Sequence, residues 1–409
     1  MRILMISDVY FPRVNGVSTA IMTLRRELRR MGHHVTLIAP DYGTVTEDED
    51  AIMRIPARPV WLDPEDRLMQ RRRITELLPY LQSQTFDVVH IHTPFIAHYA
   101  GIELARTLGV PCVETYHTFF EEYLFHYVSF MPKSVMRYLA RAFSRSQCSA
   151  LDGLIVPSRP MLDALRQYGI DTHARVVPTG IELQDFSGGD GRRFREQHGI
   201  PLEKPVLLYV GRVAHEKNIG FLLEAVTYLK LWHPDVLLVI AGEGPATAAL
   251  KRHATELSLQ AHTLFVGYLD RSRDLLDCYR AADLFVFSSR TETQGLVLLE
   301  AMALGVPVVG LAIMGTAEVL QQERGAHIAK DDVHDFARTV SALLSNDEAR
   351  AELSRSAHAY VREWTAAEMT QRLSHFYEDV VSEHCPVMCH VPANAAGERV
   401  SSFSTKQIS

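Results

Sequence analysis

The chain is poor in lysine, tryptophan and cysteine: 7 of its 42 basic residues are Lys, and 409 positions hold 3 Trp and 5 Cys. The shortage of lysine reads as codon bias. The cysteines, Cys112, Cys148, Cys278, Cys385 and Cys389, are odd in number and scattered. That excludes a disulfide-stapled secreted scaffold and fits a reduced, cytoplasmic chain. There is no excess of positive charge either. With 42 basic against 49 acidic residues the net charge is −7, which argues against a general nucleic-acid binder. Long unbroken apolar runs are also missing. Met1–Asp8 carries one basic residue and four consecutive apolar ones, too short for a signal peptide and suited to a first β-strand. The most apolar stretch, Leu296–Met314, is interrupted by Glu300, Gly305, Pro307 and Gly310. It therefore reads as helix, turn and strand rather than as a membrane span.

What is present describes an ordinary folded chain, 47% hydrophobic and 22% charged, long enough for two to three domains of about 150 residues. The charge is uneven. Residues 1–180 hold 20 Lys and Arg against 19 Asp and Glu, and the remainder 22 against 30, which points to two domains with different partners. Short runs of Val, Ile and Leu alternate with helical patterns. They are Ile3–Ser7, Val35–Ala39, Val88–His92, Cys112–Thr115, Leu154–Pro157, Val206–Val210, Val236–Ala241, Thr263–Val266, Leu284–Phe287 and Val306–Gly310. Continuous apolar runs between helices predict parallel strands covered on both faces, hence an α/β fold of two doubly wound Rossmann-like domains. The turn-rich stretch Arg175–Ile181, followed by Ser187-Gly188-Gly189-Asp190-Gly191, predicts a hinge. The expected division is 1–180, 181–365, a terminal helix over 366–383 crossing back to the first domain, and a disordered tail over 384–409.

Ligands of doubly wound sheets sit beyond the carboxyl ends of the strands, and the chemistry-bearing motifs fall there. Gly211 turns the chain after Val206–Val210, and Arg212 and Lys217 then supply a planar fork and a point charge suited to a diphosphate. Arg290-Thr291-Glu292-Thr293-Gln294-Gly295-Leu296 follows Leu284–Phe287 and opens a helix at about Gly295. Gly295 admits close approach, and the amides of Leu296 and Val297 are donors at the positive end of that helix. Glu292 and Glu300 would repel a phosphate, so they read as acceptors from hydroxyl groups of a ribose or sugar.

This pair of glutamates eight apart around Gly295, with Gly211, Arg212 and Lys217 upstream, resembles the donor site of the family-4 retaining glycosyltransferases, over about residues 1–380. The resemblance implies the GT-B architecture, two Rossmann-like domains facing each other across a cleft. It implies that Arg212 and Lys217 bind a nucleotide diphosphate, that Glu300 holds the ribose and that Glu292 binds a hydroxyl of the donor sugar. Tyr268 lies where the family holds the nucleobase, though it equally fits a core aromatic. Gly16 matches the N-terminal glycine loop, with Asn15-Gly16 where the family has a glycine pair. His117 matches the active-site histidine. No cofactor and no metal are implied; the donor is a nucleotide sugar, UDP-glucose first.

The acceptor side is read from the residues around His117. His90 and His92 share one face of a strand but lack a third or fourth metal ligand; an acceptor-pocket or packing role suits His92 better. The acidic run Glu47–Asp50 reads as a solvated loop, and His384, Cys385, Cys389 and His390 as a poor zinc site. Residues 116–130 hold seven aromatics, Phe119, Phe120 and Tyr123 among them. Lys133, Arg137, Arg141 and Arg145 follow at four-residue spacing, a basic helical stripe beside those aromatics that suits an anionic membrane surface; a solvated face over a core is the alternative. The string His117–Tyr123 and Thr291–Leu296 resemble family members that glycosylate diacylglycerol. The expected activity is transfer of glucose to a membrane lipid hydroxyl, at the inner face of the membrane. Alternatives are transfer of mannose or another sugar to a soluble or polysaccharide acceptor, a nucleotide-sugar epimerase, a glycosidase, and a non-enzymatic sugar-nucleotide sensor.

Overall fold

A computed structural model describes residues 1–43, 50–59, 67–117, 133–271 and 273–384. The aromatics Phe119, Phe120 and Tyr123, the Lys133 side chain, Glu47–Glu49 and the tail beyond His384 lie outside the described residues. Two sheets organise the chain. The first joins β1 (Arg2–Ile6), β2 (His34–Asp41), β3 (Ile52–Pro59), β4 (Arg67–Met69), β5 (Val88–Ile91), β6 (Cys112–Thr115), β7 (Gly153–Val156) and β8 (Ala174–Val176). Their spatial order is β4-β3-β2-β1-β5-β6-β7-β8, parallel throughout except for β3 against β4. The second joins β9 (Val206–Val210), β10 (Leu237–Ala241), β11 (Thr263–Gly267), β12 (Leu284–Phe287), β13 (Val308–Gly310) and β14 (Ala326–Ile328). Its order is β11-β10-β9-β12-β13-β14, all parallel.

The central strands β5, β6, β7, β9, β10 and β12 are buried at every residue, as strands covered by helices on both faces must be. Strand order reverses between β1 and β5 in the first sheet and between β9 and β12 in the second. At such switch points neighbouring crossovers leave on opposite faces and open a crevice at the carboxyl ends. The segments that follow these four strands begin at Ser7, His92, Gly211 and Ser288. The apolar stretch Leu296–Met314 is helix Leu296–Ala303 followed by β13, and no described helix is long and apolar enough to cross a membrane. Four strands have no counterpart among the apolar runs: β3, which carries two prolines and two arginines, and the three-residue β4, β8 and β14. Each is at or next to a sheet edge, where one exposed flank removes the apolar signature.

The chain passes between the sheets beyond β8 and returns at helix Ala366–Glu383. That helix sets Leu373, Phe376, Tyr377 and Val380 into a core with Ile3, Met5, Ile21 and Val35 of the first domain. The outgoing and returning segments run side by side: the Ile181 amide donates to Trp364 O at 2.8 Å and the Ala366 amide to Ile181 O at 2.9 Å. Gly180 makes this approach possible, because a Cβ there would lie 2.5 Å from both Ala366 Cα and Thr365 O. Gly180→Ala is expected to cost about 1–3 kcal/mol through overpacking, read as a lower denaturation midpoint. An unchanged midpoint would mean that the crossing segments yield freely.

Candidate active site

In the second domain the loops after β9 and β12 are bound to each other. The Asn218 side-chain amide donates to Ser288 O at 3.1 Å, Ser288 Oγ donates to Asn218 O at 3.0 Å, and Thr291 Oγ1 donates to Glu216 O at 3.2 Å. This brings Lys217 Nζ to 2.6 Å from Glu292 Oε2, with both side chains about four-fifths buried. Arg212 leans toward Glu216 at 3.5 Å and keeps about a third of its side chain exposed. Gly295 is the N-cap of helix Leu296–Ala303 at φ +89°, a left-handed conformation that glycine adopts without a Cβ penalty. It turns the first amides of that helix out of the loop that carries Glu292.

Glu300, one turn further, is 3% exposed. Tyr279 OH donates to its Oε2 at 2.9 Å and Arg271 donates to its Oε1 at 2.6 Å. The same carboxylate raises the Arg271 pKa further; burial, then Glu300, pushes the Tyr279 phenol up. Neither Arg271 nor Tyr279 stands out in sequence, because their partner lies 29 and 21 positions away. Tyr268, after β11, is 56% exposed, so the core-aromatic alternative fails.

In the first domain, Asn15 caps helix Gly16–Arg30 by accepting from the Ser18 amide at 2.8 Å. A Cβ on Gly16 would meet nothing within 4 Å, so the fold itself places no demand for glycine there. Asp8, just past β1, accepts from Thr93 Oγ1 at 2.9 Å and from the Ala97 amide at 3.1 Å, at the start of helix Ile96–Leu108. Burial outweighs these bonds and raises its carboxyl to about 7.

His90, His92 and His117 form one array. The His90 and His92 rings are 3.9 Å apart, and His92 Nδ1 lies 3.3 Å from His117 Nε2. His90 is held by Tyr377 OH at 2.6 Å and Thr115 Oγ1 at 2.7 Å. Burial is the main cause that lowers all three: His90 to about 3, His117 to about 4 and His92 well below its ordinary value. All three are therefore neutral near pH 7. Among the described residues no group of three or more His, Cys, Asp or Glu side chains is placed to hold a metal ion.

Part of the basic stripe packs on the protein itself, although Arg145 remains exposed. On helix Lys133–Cys148, Arg141 lies over the Tyr168 ring at 4.8 Å and Arg145 Nε donates to Tyr168 O at 2.9 Å. Four-residue spacing placed these arginines on one side, but the turn after helix Arg159–Gln167 packs against that side. Arg137 stays exposed, next to Tyr138 and Leu139 at 72% and 49% exposure.

Residues 190–360 match the family model for glycosyl transferases group 1, and residues 14–185 that for glycosyltransferase family 4. The chain is 36% identical over 318 residues to the alpha-monoglucosyldiacylglycerol synthase of Streptococcus pneumoniae, an overlap of 76% of this chain and 70% of that protein. It belongs to glycosyltransferase family 4. The synthase of the same name from Acholeplasma laidlawii is 29% identical to this family-4 chain, over 76% of it and 80% of the relative. The structure of Anabaena HepE in complex with UDP and glucose superposes with a TM-score of 0.75 at 16% identity, over 93% and 100% of the two chains. Sucrose-phosphate synthase from Thermosynechococcus elongatus gives 0.74 at 20% identity, over 93% and 99%. The family-4 enzyme thus has the GT-B fold, two Rossmann-like domains facing each other across a cleft, and it is a glycosyltransferase.

Proposed function

We infer that this glycosyltransferase moves glucose from UDP-glucose to a hydroxyl of diacylglycerol, with retention of anomeric configuration and without a metal. Residues 1–180 receive the acceptor and residues 181–365 hold the donor. The observation that carries this reading is the Lys217–Glu292 pair, 2.6 Å apart where the loop after β9 meets the loop that leads to the helix start at Gly295. A cation for the diphosphate and a carboxylate for a sugar hydroxyl are thereby held one hydrogen bond apart. Glu300 accepts from the ribose, Tyr268 lies beside the nucleobase, and Gly16 leaves open space for the donor phosphate. His117, neutral, hydrogen-bonds the donor sugar. The diacylglycerol acceptor is supported by the product in the names of both synthases, a glucosylated diacylglycerol.

As the anomeric bond breaks, its electron pair goes to the leaving phosphate oxygen. Arg212, Lys217 and the amides of Leu296 and Val297 receive that charge, with the two cations and the helix start gathered where the loops after β9 and β12 meet, an arrangement that supplies electrostatic stabilisation. The acceptor oxygen attacks from the face the diphosphate is leaving, and its proton passes to the departing phosphate oxygen. No carboxylate base is needed, which frees Glu292 to bind sugar. Phe95, Tyr99, Tyr138 and Leu139 are all about half exposed or more on the first domain. With Arg137 they offer apolar and cationic contacts to an anionic membrane surface, where the enzyme sits peripherally on the inner face.

The test mixes purified protein, labelled UDP-glucose and other sugar nucleotides, and liposomes with or without diacylglycerol. Labelled lipid is expected only with UDP-glucose and diacylglycerol together. Transfer to a soluble sugar and to no lipid would overturn the acceptor, and release of an altered sugar nucleotide would indicate an epimerase. Arg137→Ser with Tyr138→Ser is expected to weaken sedimentation with anionic liposomes; unchanged sedimentation removes this face from the membrane contact.

A further inference from the structure

Gln294 sits in the loop between Glu292 and Gly295, and it is 4% exposed. Its amide oxygen accepts from the Thr179 backbone N–H at 2.7 Å, and its amide nitrogen donates to the Thr179 carbonyl at 2.7 Å. One side chain thus satisfies both polar groups of a single hinge residue, 115 positions away. A primary amide presents a donor and an acceptor side by side in this way. Thr179 adjoins Gly180, where the outgoing and returning segments touch backbone to backbone. The same loop has a second tie to the first domain. Gly315 N donates to Glu292 O at 2.8 Å. In the helical turn that Gly315 precedes, Glu318 Oε2 accepts from the Arg159 amide at 2.9 Å, at the start of helix Arg159–Gln167.

A diphosphate entering this loop draws Lys217 toward itself and repels Glu292, so their 2.6 Å contact must readjust. The strain of that readjustment falls on residues 292–295. We propose that Gln294 is a positioning residue that passes this displacement to the hinge at Thr179, coupling donor occupancy to closure of the two domains. The proposal rests on the assignment of the Glu292–Gly295 loop to the donor. It goes further by giving a purpose to Gln294, the side chain of that loop that is bound to the hinge residue. Closure excludes water from the reacting sugar, so the coupling governs how much donor reaches the acceptor and how much is hydrolysed.

The variants are Gln294→Ala, which removes both bonds, and Gln294→Glu, which keeps the size but sets a carboxylate against the Thr179 carbonyl. In the full chain, nucleotide affinity is measured by calorimetry, the radius of gyration by solution scattering with and without nucleotide, and the ratio of donor hydrolysis to transfer by product analysis. Scattering and calorimetry use both UDP and GDP and no acceptor. A wrong acceptor or a wrong base therefore leaves the readout intact, and its failure is distinguishable from failure of the coupling. Wild-type protein is expected to contract on binding nucleotide. Both variants are expected to bind within about threefold of wild type, to lose the contraction, and to raise the hydrolysis-to-transfer ratio about tenfold or more. Contraction and ratio as in wild type would overturn the proposal. So would a wild type that contracts with neither nucleotide, or affinity and thermal midpoint falling together with the ratio unchanged, which marks a purely structural residue.

Discussion

Replacing Arg212 by Ala is expected to lower kcat/KM for the nucleotide sugar by about 10²–10³-fold, with the thermal midpoint almost unmoved. The magnitude is that of removing one preoriented group from a developing negative charge, about 2.7–4 kcal/mol. Stability is largely spared because the Arg212 contact to Glu216 is long, at 3.5 Å, beyond the length of a charge-assisted hydrogen bond. Glu300→Gln should behave differently. Activity falls by a comparable factor, but the change also leaves the Arg271 guanidinium without the carboxylate 2.6 Å away. Removing one partner of a largely buried pair strands the other charge, so this variant should unfold earlier as well as turn over slowly. Steady-state kinetics and thermal denaturation of both variants check the contrast. Near-normal kcat/KM in Arg212→Ala would show that the leaving diphosphate lies elsewhere.

The second large effect is acid lability. His90, His92 and His117 are held below the ordinary histidine value of 6.5, at about 3 and about 4 where the shift has a size. A base with a depressed folded-state pKa contributes stability above its unfolded value and loses it as pH falls through the folded one. Asp8, raised to about 7, acts in the opposite sense: its contribution is present at low pH and is lost as pH rises from 3.8 toward 7. Between pH 6 and 4 the unfolded chain thus carries up to three protons on these histidines that the folded chain lacks, while the folded chain holds one extra on Asp8. The histidines win. Stability is expected to fall by about 2–3 kcal/mol per pH unit on acidification through this window, given 1.36 kcal/mol per proton. Chemical denaturation midpoints at pH 7, 6, 5 and 4 test it, and a flat or rising midpoint would show that the histidine array is solvated. Because His117 is already neutral at pH 6, kcat/KM should show no histidine limb between pH 6 and 8.

Much of this molecule follows from local pattern. Central strands buried on both faces need unbroken apolar runs, so β9 and β12 coincide with Val206–Val210 and Leu284–Phe287. A loop that meets phosphate at a helix start needs glycine and cations close together in sequence, so Gly211, Arg212, Lys217 and Gly295 stand out. The strands β3, β4, β8 and β14, at or next to a sheet edge, do not, since half-exposed or three-residue strands carry no such pattern.

The amino-acid order alone therefore determined the α/β class and the two-domain plan, and it picked out separately the two loop motifs proposed to meet the donor, because each of these shows in residues within a turn or a strand of one another. Tertiary structure decided what those residues do to each other. Lys217 meets Glu292 across 75 positions, Gln294 meets Thr179 across 115, and His90 meets Tyr377 across 287. It also turned Arg141 and Arg145 onto Tyr168. Helical spacing shows which side chains share a face, but what packs against that face depends on how distant segments come together. No local signal records that, because a hydrogen bond between distant segments constrains neither one's own conformation.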